Sequence, residues 1–271
     1  MTDLAGLVDN VRTKAPIIHS ITNYVTVNDC ANLLLACGAS PIMADDPEEA
    51  AEIAALCDGV NLNIGTLNHH TIPSMLAAGR RANELGRPVV LDPVGAGASR
   101  LRTETAQRLI REVRFAVIRG NISEIKTLVC GRADTRGVDA GEADDSDDGR
   151  LALARTLAER TGAVVAVTGA RDVISDGARS CVVSNGHPMM SRVTGTGCML
   201  SALTAAYAAA NPERLFEAAC AAVVAMGLCG ERAYAALGAR GGNNALRGGI
   251  IDAVYRLDGQ SFQEGARYEM R

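Results

Sequence analysis

Short β-branched runs alternate with stretches of helical spacing along most of the chain. The runs cover residues 17–19, 40–43, 60–64, 89–92, 115–119 and 163–168. Between them, Asp46-Pro47-Glu48-Glu49 offers a cap, a proline at the first helical position and a following glutamate, ahead of an apolar face that ends at Leu56. Residues 71–85 form a further helical stretch closed by Gly86, and residues 103–113 repeat their apolar positions at helical intervals. This alternation predicts the α/β class, with a parallel sheet joined by crossover helices. After Thr168 the runs shorten to residues 172–177 and 180–184 around a glycine turn, which predicts a hairpin at one sheet edge. An alanine-rich helix from Cys198 to Asn211-Pro212, a second over residues 213–237 and a third over 245–257 are expected to close the chain. With no internal repeat and no Pro-rich linker, residues 1–271 read as one domain.

The helix beginning near Cys198 is introduced by Val193-Thr194-Gly195-Thr196-Gly197-Cys198. Two glycines one residue apart allow a sharp turn and a close backbone approach to a ligand. The first N–H groups of the helix lack intrahelical partners and carry partial positive charge, so this loop reads as a cradle for an anion such as phosphate. A purely structural turn has the same spacing. Cys198 is equally double-natured, because cysteine often serves as a small buried hydrophobe, yet a helix N-terminus lowers the pKa of a thiol.

In parallel α/β sheets ligands gather beyond the carboxyl ends of the strands, and here those ends are polar. They carry Ser20-Ile21-Thr22-Asn23, Gly65-Thr66, Asp92-Pro93-Val94-Gly95-Ala96-Gly97, Arg119-Gly120-Asn121-Ile122-Ser123-Glu124 and Thr168-Gly169. Each alone has an ordinary reading as turn chemistry; five together supply the parts of a phosphoryl-transfer site. Arg119 and Thr168 are suitable phosphate donors, and Asp92 and Glu124 are suitable for Mg²⁺, which takes oxygen ligands and retains water. The P-loop pattern G-x-x-x-x-G-K-[ST] is absent, so a kinase built on this chain is of another kind.

Composition narrows the partner. At 48% hydrophobic and 21% charged residues the chain is an ordinary globular one, and a net charge of −4 with 3% aromatics gives no basic surface or stacking platform for nucleic acid. The longest apolar stretch, residues 218–230, is too short to span a bilayer and reads as a buried helix. Eight cysteines without a C-x-x-C pair, and no signal peptide at the start, point to reduced thiols in a cytoplasmic setting. The four histidines lack zinc-ligand spacing, and Asp144-Asp145-Ser146-Asp147-Asp148 reads as a hydrated surface loop without a ligand.

The cradle motif, His19-Ser20-Ile21-Thr22-Asn23, Leu62-Asn63-Ile64-Gly65-Thr66-Leu67, Leu91-Asp92-Pro93-Val94-Gly95-Ala96-Gly97, Ile118-Arg119-Gly120-Asn121 and Gly137-Val138-Asp139-Ala140-Gly141-Glu142 together closely resemble the hydroxyethylthiazole kinases of thiamine salvage, in order and spacing, from about residue 10 to about residue 257. The resemblance implies a ribokinase-like α/β fold, a homotrimer with active sites at subunit interfaces, and transfer of the γ-phosphoryl group of ATP, with Mg²⁺, to the primary hydroxyl of 4-methyl-5-(2-hydroxyethyl)thiazole. Carried onto matching positions, it implies Met43 and Gly195 at the thiazole, Asn23 and Gly65 lining the substrate side, and Arg119 and Thr168 at ATP. It further implies Asp92 and Glu124 near the metal, partly through water, with Gly195, Thr196, Gly197 and Cys198 forming the anion hole.

Three other readings stay open at this stage. Ribokinase-like kinases for a hydroxymethylpyrimidine, pyridoxal or a sugar usually bear aspartate where this chain has Cys198, as the thiazole kinases do not. A cysteine-nucleophile transferase would need a base beside Cys198, and His19 is the only histidine near a strand end. A nucleotide-binding regulator would bind ATP without turnover.

Overall fold

The computed structural model describes residues 3–131 and 146–271. Six parallel strands, β1 (Ile17–Ile21), β2 (Ser40–Ile42), β3 (Gly59–Asn63), β4 (Val89–Asp92), β5 (Val117–Asn121) and β6 (Val164–Thr168), lie in one sheet with antiparallel β7 (Asp172–Ser175), β8 (Ser180–Val183) and β9 (Tyr268–Met270). The order across the sheet is β2-β1-β3-β4-β5-β6-β7-β8-β9. The α/β class and every strand expected from the sequence are present, with bounds shifted by a residue or two.

Period-two alternation divides β1 and β4 to β8 between two cores. Ile18, Val90, Val117 and Ala166 face one core, shared with α1 (Ala5–Lys14), α2 (Val27–Cys37), α8 (Thr196–Ala210), α9 (Leu215–Ala235) and α10 (Asn243–Arg256). Leu62, Leu91, Ile118 and Val165 face the other, shared with α3 (Ala50–Leu56), α4 (Thr71–Glu84), α5 (Arg100–Glu112), α6 (Ile122–Cys130) and α7 (Asp147–Thr161). With few aromatics available, small side chains let the layers approach closely. Almost every residue of α8 is buried, so this helix lies inside the fold beneath β1, β3 and β4. The parallel register then aligns the polar strand ends: Asn63 pairs with Asp92, and Asn121 with Thr168.

Several expectations are corrected. The β7–β8 hairpin is not at the sheet edge, because β9 pairs with β8; the chain therefore closes on a strand, after the short α11 (Gly259–Gly265), and not on helices. Asp46 caps a turn through the Glu48 amide (2.8 Å), and α3 begins only at Ala50. Ser146 is the N-cap of α7, so Asp147 and Asp148 are its acidic first turn instead of loop; Asp147 is paired with Arg171. Residues 144–145 and the Gly137–Glu142 motif lie outside the described residues. All eight cysteines are free thiols, and only Cys130 is exposed. Among the described residues no helix is long and apolar enough to cross a membrane.

Candidate active site

The cradle forms because Gly195, the N-cap of α8, adopts φ +91°. An added Cβ there would overlap Thr26 Cγ2 and approach Thr26 Cβ to 3.0 Å, so glycine is required by conformation and by space. The free amides of the first turn of α8 then meet the Arg119 guanidinium. A Cβ on Gly197 would stand only 2.8 Å from Arg119 Nη1. Arg119 Nη2 donates to Thr168 Oγ1 at 2.7 Å, while its buried Nε has no protein partner. A helix N-terminus and a guanidinium placed together repel one another unless an anion lies between them.

A cavity of about 490 Å³ opens onto this positive end, where Arg119, Thr168, Thr196 and Gly197 line it. Its lining also includes acidic Asp172 and apolar Val223 and Met226, with Gly227 of α9 packed against Asn185. A charged end for phosphates and an apolar end for a flat base are the two requirements of a nucleotide site.

On the other side of Arg119, Asp92 is fully buried. Arg119 Nη1 lies 3.4 and 3.5 Å from its two oxygens, and Asn63 Nδ2 and Ser201 Oγ each donate to Oδ2 at 2.8 Å. Burial pushes the Asp92 pKa up, against the pull of Arg119, Ser201 and Asn63. Glu124 is nearly buried as well, its oxygens accepting from the Gly95 amide (2.9 Å) and the Asn121 amide (2.8 Å), the latter as half of a capping box on α6. Desolvation raises its pKa too, followed by the nearby Asp92 charge.

Among the described residues no cluster of three or more acidic, histidine or cysteine side chains could enclose a metal unaided. Two buried carboxylates whose ionisation is made costly by desolvation do fit Mg²⁺, which is commonly held by one or two carboxylates plus water and substrate phosphates. Since amides and hydroxyls already occupy their oxygens, contact through water is the arrangement these residues suit.

Cys198 is buried at the third position of α8, and its sulfur accepts from Asn23 Nδ2 at 2.9 Å. Thr26 Oγ1 donates to Asn23 Oδ1 at 3.0 Å, and Asn23 Nδ2 also reaches Asn63 Oδ1 at 3.3 Å. The expectation that the helix N-terminus lowers the thiol pKa is corrected: burial, and then the Asp92 charge, push it above the ordinary value of 9.0. Gly65 fits tightly here, since a Cβ would stand 2.7 Å from Asn23 Nδ2. Met43 sits half-buried just beyond β2, against the core on the α8 face.

The structure therefore joins Asn23, Gly65, Asp92, Arg119, Thr168, Gly195, Gly197 and Cys198 through named contacts, with Glu124 close enough to feel the Asp92 and Arg119 charges, while Met43 packs on the core beyond β2. His19 does not join: its Nε2 bonds to the Ala44 carbonyl at 2.6 Å, so the nucleophile reading gains no base from it.

The sequence model of the hydroxyethylthiazole kinase family matches residues 8–260. The chain belongs to the hydroxyethylthiazole kinase family. It is 57% identical over 265 residues to the hydroxyethylthiazole kinase of Clostridium acetobutylicum, covering 96% of this chain and 97% of that one. The protein of that name from Ruminiclostridium cellulolyticum is 52% identical, over 97% and 96% of the two chains. A solved hydroxyethylthiazole kinase structure from Pyrococcus horikoshii superposes with a TM-score of 0.90 at 38% identity, covering 100% of both chains. Pyridoxal kinase from Staphylococcus aureus, at 14% identity, 94% and 98% coverage and a TM-score of 0.63, shares the ribokinase-like fold alone.

Four residues that hold this kinase-family site together had no role in the sequence reading. Asn63 and Ser201 orient Asp92, and Thr26 orients Asn23. Arg102 donates to the carbonyls of Ile64, Val94 and Gly65, each at 2.7 Å, tying the ends of β3 and β4 together. The available signals were polar residues in apolar surroundings: Asn61 and Asn63 within β3, and Ser201 one helical turn beyond Cys198.

Proposed function

We propose that the chain transfers the γ-phosphoryl group of ATP to the primary hydroxyl of 4-methyl-5-(2-hydroxyethyl)thiazole. The observation that carries this reading is the Arg119 guanidinium set against the α8 N-terminus at the mouth of a polarised cavity. ATP lies with its base toward Val223 and Met226 and its phosphates toward Arg119, Thr168 and the first amides of α8. Asp92 and Glu124 would hold Mg²⁺, which would supply charge neutralisation on the phosphates. The acceptor lies on the Asn23, Gly65 and Met43 side, with its hydroxyl beside Gly195 and Cys198.

Transfer forms a bond from the alcohol oxygen to the γ-phosphorus as the bond to the bridging oxygen breaks and ADP leaves. Charge on the passing phosphoryl group is met by the amides of residues 196–198 and by Arg119. In a loose transition state the attacking hydroxyl loses its proton late, to an oxygen of the transferred phosphoryl group and from there to water, so a protein base is not required early. Cys198, kept as a thiol by burial and fixed by Asn23, orients the alcohol and does not take its proton. A homotrimer fits the same picture, because exposed Tyr24 and Val25 directly follow Asn23 and offer apolar surface beside the acceptor side.

Phosphorus NMR of a mixture of protein, ATP, Mg²⁺ and the thiazole is expected to show ADP and one new phosphomonoester. Glu124→Gln is expected to raise the Mg²⁺ needed for half-maximal rate by about 10-fold, as for loss of an outer-shell metal partner. Inorganic phosphate as the sole new product would overturn the acceptor assignment.

A further inference from the structure

Gly227, Gly230, Glu231 and Tyr234 of α9 stand at i, i+3, i+4 and i+7, which places them along one stripe of the helix. Each receives a different residue of the segment that walls the apolar end of the cavity. A Cβ on Gly227 would lie 2.6 Å from the Asn185 carbonyl oxygen, and one on Gly230 would overlap Met190 Sδ. Glu231 Oε1 accepts from the Gly186 amide at 2.5 Å, and the His187 ring stacks on Tyr234 with centroids 3.5 Å apart and 19° between planes.

The lead-in to β9 grips the same segment from the other side. Arg267 donates to both Glu231 oxygens, at 3.0 and 2.5 Å, and its amide donates to Asn185 Oδ1 at 2.7 Å. Asn185 Nδ2 in turn donates to the Gly265 carbonyl at 3.0 Å, and the Ser184 amide to the Arg267 carbonyl at 2.9 Å. The wall is thus latched between α9 and the carboxyl-terminal segment, through contacts that include neither Arg119 nor Cys198.

We infer that Glu231 and Arg267 are positioning residues for the nucleotide, latching residues 185–190 at the width that the base and sugar require. This rests on the reading of the cavity as the ATP site. The Arg267 side chain is 54% exposed, and an ion pair so placed contributes little to global stability. Its loss instead lets the wall move, so that ATP must order it on binding. Neither residue reaches the acceptor side.

Steady-state kinetics of Arg267→Ala, Glu231→Gln and Arg267→Lys test the inference. Arg267→Ala and Glu231→Gln are expected to raise KM for ATP about 5- to 30-fold, the range of a one-to-two-kcal loss in site order, with kcat and the thiazole KM within about twofold. Arg267→Lys, which keeps the charge, is expected to recover most of the loss. Should Arg267→Ala fail to fold, Glu231→Gln, which keeps an acceptor for Gly186, gives the same split. Amide exchange of residues 186–191 in wild type, with and without ATP, separates the two ways of failing. ATP that binds without slowing exchange there overturns the ATP-site reading and this inference with it. Protection in wild type together with unchanged ATP KM in both variants, or equal shifts in both substrates' KM values, overturns this inference alone.

Discussion

Gly195→Ala perturbs the cradle by a single methyl group. At φ +91° an L-residue carries left-handed strain of about 1–2 kcal/mol. The new Cβ also overlaps Thr26 Cγ2 and lies 3.0 Å from Thr26 Cβ, and Thr26 is buried, so relief requires movement costing a further ~1–3 kcal/mol. The sum, about 2–5 kcal/mol, corresponds to a fall in Tm of roughly 4–20 °C for a chain of this size. Movement of Thr26 is transmitted through its 3.0 Å bond to Asn23 and from there through the 2.9 Å contact to Cys198. A displacement of about 1 Å at a reacting group costs about 100-fold in rate. The expected outcome is kcat down by about 100-fold at a temperature where the variant is folded by circular dichroism. Thr26→Ser removes Cγ2 and keeps the hydroxyl, so the double variant Gly195→Ala/Thr26→Ser is expected to recover part of both losses, about 10-fold in kcat for the ~1–2 kcal/mol of overlap relieved. Wild-type kcat in Gly195→Ala, or no recovery in the double variant, would refute the steric chain of reasoning.

Further outcomes follow from other parts of the site. Cys198→Ala is expected to lower kcat by about 10- to 1000-fold, the range for one positioned group; unchanged kcat would remove the thiol from the reaction. Because burial and Asp92 raise its pKa above 9.0, alkylation of Cys198 by iodoacetamide is expected to accelerate only above that pH, and a midpoint below about 8 would contradict the burial argument. Asp172 lines the cavity and accepts from the Gly169 amide at 2.9 Å, and burial pushes its pKa up to about 6. The folded state then holds this proton more tightly than the unfolded chain, whose value is about 3.9, so Asp172 makes stability fall as pH rises from about 4 to about 6, with little change above. Asp172→Asn is expected to flatten that part of the urea-midpoint profile by on the order of 1–3 kcal/mol, and an unaltered slope would count against it.

The parallel strands were legible because each is a compact β-branched run punctuated by Gly, Pro, Asn or Asp at its carboxyl end, where the site forms. β9 is not visible in the sequence because Tyr268-Glu269-Met270 is too short to carry a pattern; it becomes a strand only through pairing with β8, which lies nearly ninety residues earlier. The hairpin was read as an edge for the same reason. Arg119 and Asp92 could be named from their positions after strands, but the Ser201 and Asn63 contacts that fix Asp92 join α8 to β3 and β4 across the core, and nothing local encodes that meeting. The upward shift of the Cys198 pKa has the same origin. A helix N-terminus is visible in sequence, whereas burial beside a carboxylate exists only once the chain has folded.

ADP release, measured by a coupled assay with and without hydroxyethylthiazole on wild type and on Arg119→Ala, reports on the acceptor and the phosphate cradle together. The variant removes the cation from the cradle and leaves Asp92 buried without its charged partner, so its fold is checked in parallel. Release is expected to depend on the thiazole in wild type and to fall at least about 100-fold in kcat/KM in the folded variant. Release indifferent to the thiazole, or undiminished without Arg119, would contradict the proposed function.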